Sequence, residues 1–166
     1  MLEILKYPDP RLKEISKPVE VFDSELKTLL DEMATTMYSA NGVGLAAPQV
    51  NRRLRAFVID IGSQDADHRR IYEFVNPKIS HAEGKLVYEE GCLSVPGITE
   101  EVQRKAKIHV DFQDRNGKLM MMDVEGLLAV AIQHENDHLD GILFVDRLSA
   151  LKRRLLRNKL SKAITF

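Results

Sequence analysis

Apolar residues recur at helical spacing in two stretches of the chain and alternate with polar ones between them. Leu26, Leu29, Leu30, Met33 and Met37 fall on one side of a helix that Ser24 can cap and that continues to about Ser39. The methionines on that stripe read as core filler. Leu127, Leu128, Ala131 and Ile132 repeat the helical pattern ahead of Gln133-His134-Glu135-Asn136-Asp137-His138, and Gly141 is placed to end that helix. Between the two, Leu54 to Asp60 reads as a buried strand, and Ile71 to Val75 and Ile79 to Tyr88 as two more, separated by Asn76-Pro77. Ala106, Ile108, Val110 and Phe112 alternate, Asp114-Arg115-Asn116-Gly117 turns, and Leu119 to Met122 returns as a hairpin partner. His109 lies opposite that apolar set and is expected to face solvent, as are His68 in a polar loop and His81 on its strand.

Residues 1 to 22, punctuated by Pro8, Pro10 and Pro18, read as an irregular arm with no evident function. Ile142 to Val145 is a short buried piece, and a final helix follows in which Leu148, Leu151 and Leu155 form a stripe that docks on the body. The pattern predicts an α+β fold: one compact domain over residues 1–166, with antiparallel strands around the central histidine-bearing helix and a C-terminal helix.

Composition narrows the classes. A chain of 166 residues with 44% hydrophobic and 30% charged residues is large enough to bury a core and is neither fibrous nor disordered. A net charge of -1 argues against a general nucleic-acid coat. No apolar run is long enough to span a bilayer, and the N-terminus lacks the basic start and apolar stretch of a signal peptide, so a cytoplasmic location away from membranes is expected. The single cysteine, Cys92, is a buried filler, a reactive thiol or a metal ligand. Charge concentrates in residues 146–166, where Arg147, Lys152, Arg153, Arg154, Arg157, Lys159 and Lys162 face only Asp146.

The candidate chemistry centres on the histidine helix. His134 and His138 lie one turn apart, so both imidazoles leave one face and can hold one ion. Glu135, about 100° around the helix, borders that ion without ligating it, as a general base does. A catalytic site of this kind wants a third protein ligand and an open position. No glutamate follows Glu135, and Phe144 stands where one metallopeptidase pattern has its third histidine. Asp140, Asp146 and Cys92 remain. Cys92 is favoured, because it sits in the polar, glycine-bounded run Glu89 to Gly97, where a buried filler is out of place. Asn41 to Gln49 is no phosphate loop, since the lysine and helix start are missing, and it reads as a turn until a reason for Gln49 appears.

Three separated stretches, Gly42-Val43-Gly44-Leu45-Ala46-Ala47-Pro48-Gln49, Glu90-Gly91-Cys92-Leu93-Ser94 and Gln133-His134-Glu135-Asn136-Asp137-His138, resemble in order and separation the three motifs of bacterial peptide deformylases. The resemblance brackets residues 42 to 141. It implies removal of the N-formyl group from nascent chains that begin with formyl-methionine, releasing formate. It implies one divalent ion per chain, iron(II) in the cell with zinc, nickel or cobalt able to substitute, held by Cys92, His134 and His138. Glu135 would be the base, and Gln49 and the Leu93 backbone N–H would face the developing oxyanion. Backbone at Val43, Gly44 and Gly91 would pair with the substrate, and Val43, Leu127 and Val130 would line a methionine pocket. Thr99 departs from members that carry a basic residue near the substrate entrance. The basic last helix then suggests ribosomal RNA as a partner. Two competing readings predict different ligands. A small metallopeptidase would use Asp140 or Asp146, and an RNA-binding module with a structural metal would close its site with a residue such as His109.

Overall fold

The computed structural model describes residues 1–164, with side chains to Leu160. The side chain of Lys162 and residues 165–166, both counted in the basic segment, lie outside the described residues. In chain order the elements are α1 (Ser24–Ser39), β1 (Gly44–Ala46), β2 (Ala56–Ile59), β3 (Tyr72–Glu83), β4 (Leu86–Cys92), β5 (Val95–Arg104), β6 (Lys107–Gln113), β7 (Leu119–Glu125), α2 (Gly126–Leu139) and α3 (Ala150–Ile164).

Five strands form one antiparallel sheet in the order β1-β2-β3-β6-β7, and β4 and β5 pair separately as a two-stranded ribbon. Strand β2 is buried on both faces, and its alternation assigns them. Ala56 and Val58 pack with Leu26, Leu30, Met33 and Met37 of α1, whereas Phe57 and Ile59 pack with Ala129 and Ile132 of α2. A third cluster joins the ribbon to the end of the chain through Val95, Val102, Phe144, Leu156 and Leu160. The α+β architecture, antiparallel strands, central helix and C-terminal helix agree with the sequence pattern.

Several local expectations are corrected. Asp23, not Ser24, caps α1, its carboxylate accepting from the Leu26 N–H at 3.1 Å. Asn76-Pro77 does not break β3. The strand bulges there, with Asn76 at φ 49°, and the Asn76 side chain takes over the lost pairing by bonding both backbone groups of Val19 at 2.7 and 2.9 Å. The break comes instead at Gly84, so Ile79 to Tyr88 divides between two sheets. In the last helix Leu151 and Leu155 are exposed, and Leu156 and Leu160 face the core. Leu148 precedes the helix in extended backbone, so it cannot set the phase of the helical stripe.

His109 does lie on the open face of the sheet, yet it is not simply solvated. Its Nδ1 is 2.8 Å from Asp123 and its Nε2 3.3 Å from Asp111. The Asp123 carboxylate first, and Asp111 with it, hold the proton on the ring and raise its pKa above 6.5. The contribution of this clamp to stability is therefore complete below pH 6.5 and is lost as pH rises through the folded value. An NMR titration is expected to place the His109 midpoint above 6.5 and to bring it down in Asp123→Asn. A wild-type midpoint at or below 6.5 would contradict the clamp.

Candidate metal centre

Two elements from opposite ends of the topology meet at the site. Helix α2 supplies His134 and His138, whose ring centroids lie 5.1 Å apart. Strand β4 supplies Cys92 at its last position, where the ribbon register slips and Cys92 faces Val95 instead of continuing the Gly91–Thr99 pairing. That irregularity aims the thiol at the helix, with Sγ 3.4 Å from His138 Nε2. One ligand atom from each of Cys92, His134 and His138 lies within 4.8 Å of the others, and this is the one such group among the described residues.

The surroundings suit a cation. Sulfur and two imidazole nitrogens are a sound donor set for a divalent transition ion. Burial opposes a charge on His134, but Glu135, Cys92 and Glu90 around it outweigh that and hold its pKa well above the ordinary value. The same neighbours that favour a proton on His134 would favour a bound metal cation in its place. Burial, then His134 and Arg104, push His138 well below the ordinary value, into the neutral form that ligates. Glu135 is 4% exposed, its Oε1 has no hydrogen-bond partner among the described residues, and burial raises its pKa to about 7. An unpartnered buried carboxylate oxygen beside the ligand atoms is a group waiting for a ligand or water. Gly44 makes room for it: a Cβ there would come within 2.5 Å of Glu135 Oε2.

Behind His134 runs a buried ion network that sequence reasoning missed. His134 Nδ1 lies 2.8 Å from Glu90 Oε1. Arg104 grips both oxygens of Glu90 at 2.8 Å and reaches Asp137 at 2.6 Å. Arg147 closes the chain on Asp137 at 2.7 Å. Burial works against the Glu90 anion, yet Arg104 and His134 hold its pKa below the ordinary range. The effect is to commit Nδ1 of His134 and leave Nε2 for an ion. Glu90 and Asp137 stood inside noticed motifs, but nothing paired them with Arg104, because the charged stretch Thr99 to Arg104 carries no apolar alternation and β5 went unpredicted.

The other expected residues gather round a cavity of about 590 Å³. Gln49, Leu93, Val43, Gly44 and Gly91 all line it, as do Leu127 and Val130 of α2. Gln49 is 1% exposed and explained by its bonds. Its Oε1 accepts from the Ala46 N–H at 2.9 Å, while Nε2 donates to Ser94 Oγ at 3.0 Å and reaches Cys92 Sγ at 3.5 Å. The run Gly44 to Ala46, read as part of a turn, is instead an edge strand. The competing ligands lie elsewhere. Asp140 pairs with Arg55 at 3.0 Å, Asp146 with Lys13 at 2.9 Å, and His109 is bound between its two aspartates, so none joins the group.

Removing Arg104 would leave buried Glu90 with only the His134 ring and Asp137 with only Arg147. Arg104→Met is expected to cost about 3–5 kcal/mol in a denaturant titration, since breaking a buried pair leaves uncompensated charge. It should also weaken metal binding about 10- to 100-fold in chelator competition, because the ring behind the ligand loses its orienting partner. Unchanged affinity in a folded variant would show that the network does not orient His134.

Comparison with known proteins agrees with this geometry. Residues 1–154 match the family model described as polypeptide deformylase. The chain is 51% identical over 162 residues to the peptide deformylase of Chromobacterium violaceum, covering 98% of this chain and 95% of that protein. It is 48% identical over 165 residues to the one from Psychrobacter cryohalolentis, covering 99% and 88%. Among solved structures, a peptide deformylase from Legionella pneumophila superimposes with a TM-score of 0.91 at 49% identity, covering 99% of this chain and 96% of that one. With a site built on Cys92, His134 and His138 and a family match over nearly its whole length, this chain belongs to the polypeptide deformylase family.

Proposed function

We propose that this chain removes the N-formyl group from polypeptides beginning with formyl-methionine, releasing formate, and that Cys92, His134 and His138 hold the divalent ion the reaction needs. The observation that carries this reading is the convergence of those three ligand atoms beside an unpartnered, buried Glu135 in an open cavity. The resemblance favours iron(II) in the cell, with zinc, nickel or cobalt able to replace it. When bound, the ion would supply a strong nucleophile at neutral pH by acidifying water and would polarise the formyl carbonyl.

The chain's own residues do the rest. Glu135 takes a proton from the attacking water and returns it to the departing amine, a role suited to a carboxyl whose pKa burial brings to about 7. Gln49 has two amide hydrogens. One is given to Ser94 Oγ at 3.0 Å, and the other, held only by a long 3.5 Å contact to Cys92 Sγ, turns to donate to the oxygen that becomes negative, together with the Leu93 backbone N–H. Strand β1 is the edge of the larger sheet and β4 the edge of the ribbon, and both border the cavity. A peptide seated between Val43-Gly44 and Gly91 would add a strand. Val130, only 2% exposed, and the half-open Val43 and Leu127 offer the apolar pocket for the methionine side chain.

Location and partners follow the same reading. Among the described residues no helix is long and apolar enough to cross a membrane. We place the protein in the cytoplasm as one domain, working on chains as they leave the ribosome. The exposed Lys152, Arg154, Arg157 and Lys159 of α3 provide a basic face for ribosomal RNA. Arg147 is less available, being tied to Asp137.

Three substitutions separate these roles. With formyl-Met-Ala-Ser as substrate, Cys92→Ala should lose the metal and all formate release. Glu135→Ala should keep one ion per chain and lose turnover. Gln49→Ala should keep the ion and slow kcat about 100- to 1,000-fold, the usual loss for one oxyanion donor. Full metal content in Cys92→Ala, or full activity in Glu135→Ala, would refute the assignment.

A further inference from the structure

The N-terminal arm, which showed no function as a sequence, touches every segment that builds the site. The Leu5 N–H donates to the Gln49 carbonyl at 2.7 Å. The Tyr7 N–H donates to the Ser94 carbonyl at 2.8 Å, and Lys6 Nζ to the Leu93 carbonyl at 3.1 Å. Further along, the Ser16 N–H donates to the carbonyl of Leu139 at the end of the histidine helix, at 2.8 Å. The arm also passes so close to Gly141 that a Cβ there would overlap the Lys13 carbonyl. Buried Leu5 and Leu12 anchor the arm, and Asp9 caps its short 3-10 turn by accepting from the Arg11 N–H at 2.9 Å.

These contacts matter because the two proposed oxyanion donors belong to different sheets. Gln49 follows β1 of the five-stranded sheet, and Leu93 follows β4 of the ribbon. Between these two segments the hydrogen bonds are those of the Gln49 amide to Ser94 and Cys92, beside the packing of the Leu93 side chain against Gly42 and the cluster of Leu45 and Val50. Three consecutive arm residues add one bond to the first segment and two to the second. We infer that residues 5–16 act as a belt that holds the Gln49 and Leu93 donors in register, with Lys6 as a positioning residue for the deformylation step. The inference rests on the oxyanion reading of Gln49 and Leu93. Lys6 suits the role because its ammonium fixes a backbone carbonyl next to the donor peptide while its stem remains at the exposed mouth of the cavity.

The test compares wild type, Lys6→Met, Lys6→Arg and Gln49→Ala, each loaded with zinc, on formyl-Met-Ala-Ser. Lys6→Met keeps the apolar stem and removes the charge. It should lower kcat about fivefold, since small displacements of positioned groups are costly, with KM and zinc per chain unchanged. Lys6→Arg should recover most of the loss. If Lys6→Met matches wild type while Gln49→Ala is slow, the belt is overturned and the oxyanion reading stands. If KM rises and kcat holds, Lys6 touches substrate and the positioning role is overturned. If Gln49→Ala is also at wild-type rate, the oxyanion reading fails and the inference falls with it.

Discussion

The site depends on one constraint: an imidazole ligates only if its ring is turned correctly and its other nitrogen is satisfied. Here that constraint is met by a buried arginine. Arg104 holds Glu90 with two bonds, Glu90 faces Nδ1 of His134, and the same Arg104 reaches Asp137 one turn-face away on the helix. Because Glu90 and Arg104 belong to the ribbon and His134 and Asp137 to α2, the network also sets the distance between the strand that brings Cys92 and the helix that brings the histidines. Ion pairs this deeply buried add little net stability against a well-packed apolar alternative. Their contribution is geometric, fixing which atom of which ring points at the ion.

Around that scaffold the site keeps a group in an unfavourable state. Glu135 is buried with one oxygen unsatisfied, at the cost of a pKa raised to about 7. A carboxyl that exchanges its proton near neutral pH can both accept and return one, which is what the base proposed for the reaction has to do. Gly44 lets backbone approach the carboxyl, and the cavity opens toward the free edges of two separate sheets. Those two edges put backbone on both sides of the cavity.

Much of this was visible in the residues. The spacing of His134, Glu135 and His138 is local and survives folding unchanged, and the alternation of Ile108, Val110 and Phe112 maps directly onto buried positions of β6. What failed was non-local. Ribbon strand β5 owes its place to Arg104 and Val102, buried by partners far away in sequence, and its charged composition has no strand signature. Asn76-Pro77 reads as a break because Pro77 cannot donate to a ladder, whereas Val19 from the arm, with Gln113 and Arg55, supplies the partners that hold the bulge. The arm itself, irregular and proline-rich, meets the site mostly through backbone N–H groups of Leu5, Tyr7 and Ser16, which no side-chain pattern records. In the last segment Leu148 docks on the body as expected, but it lies before the helix begins, so Leu151 and Leu155 do not share its face.

On the proposed reading, one ion is bound by the sulfur of Cys92 and one nitrogen each of His134 and His138, with a position left open. X-ray absorption at the zinc edge of the zinc-loaded full chain tests it directly. The expected spectrum has one sulfur scatterer at about 2.3 Å, two imidazole nitrogens at about 2.0–2.1 Å and one further light atom that an added small anion displaces. A spectrum without sulfur, or one with four protein ligands and no exchangeable position, would contradict it.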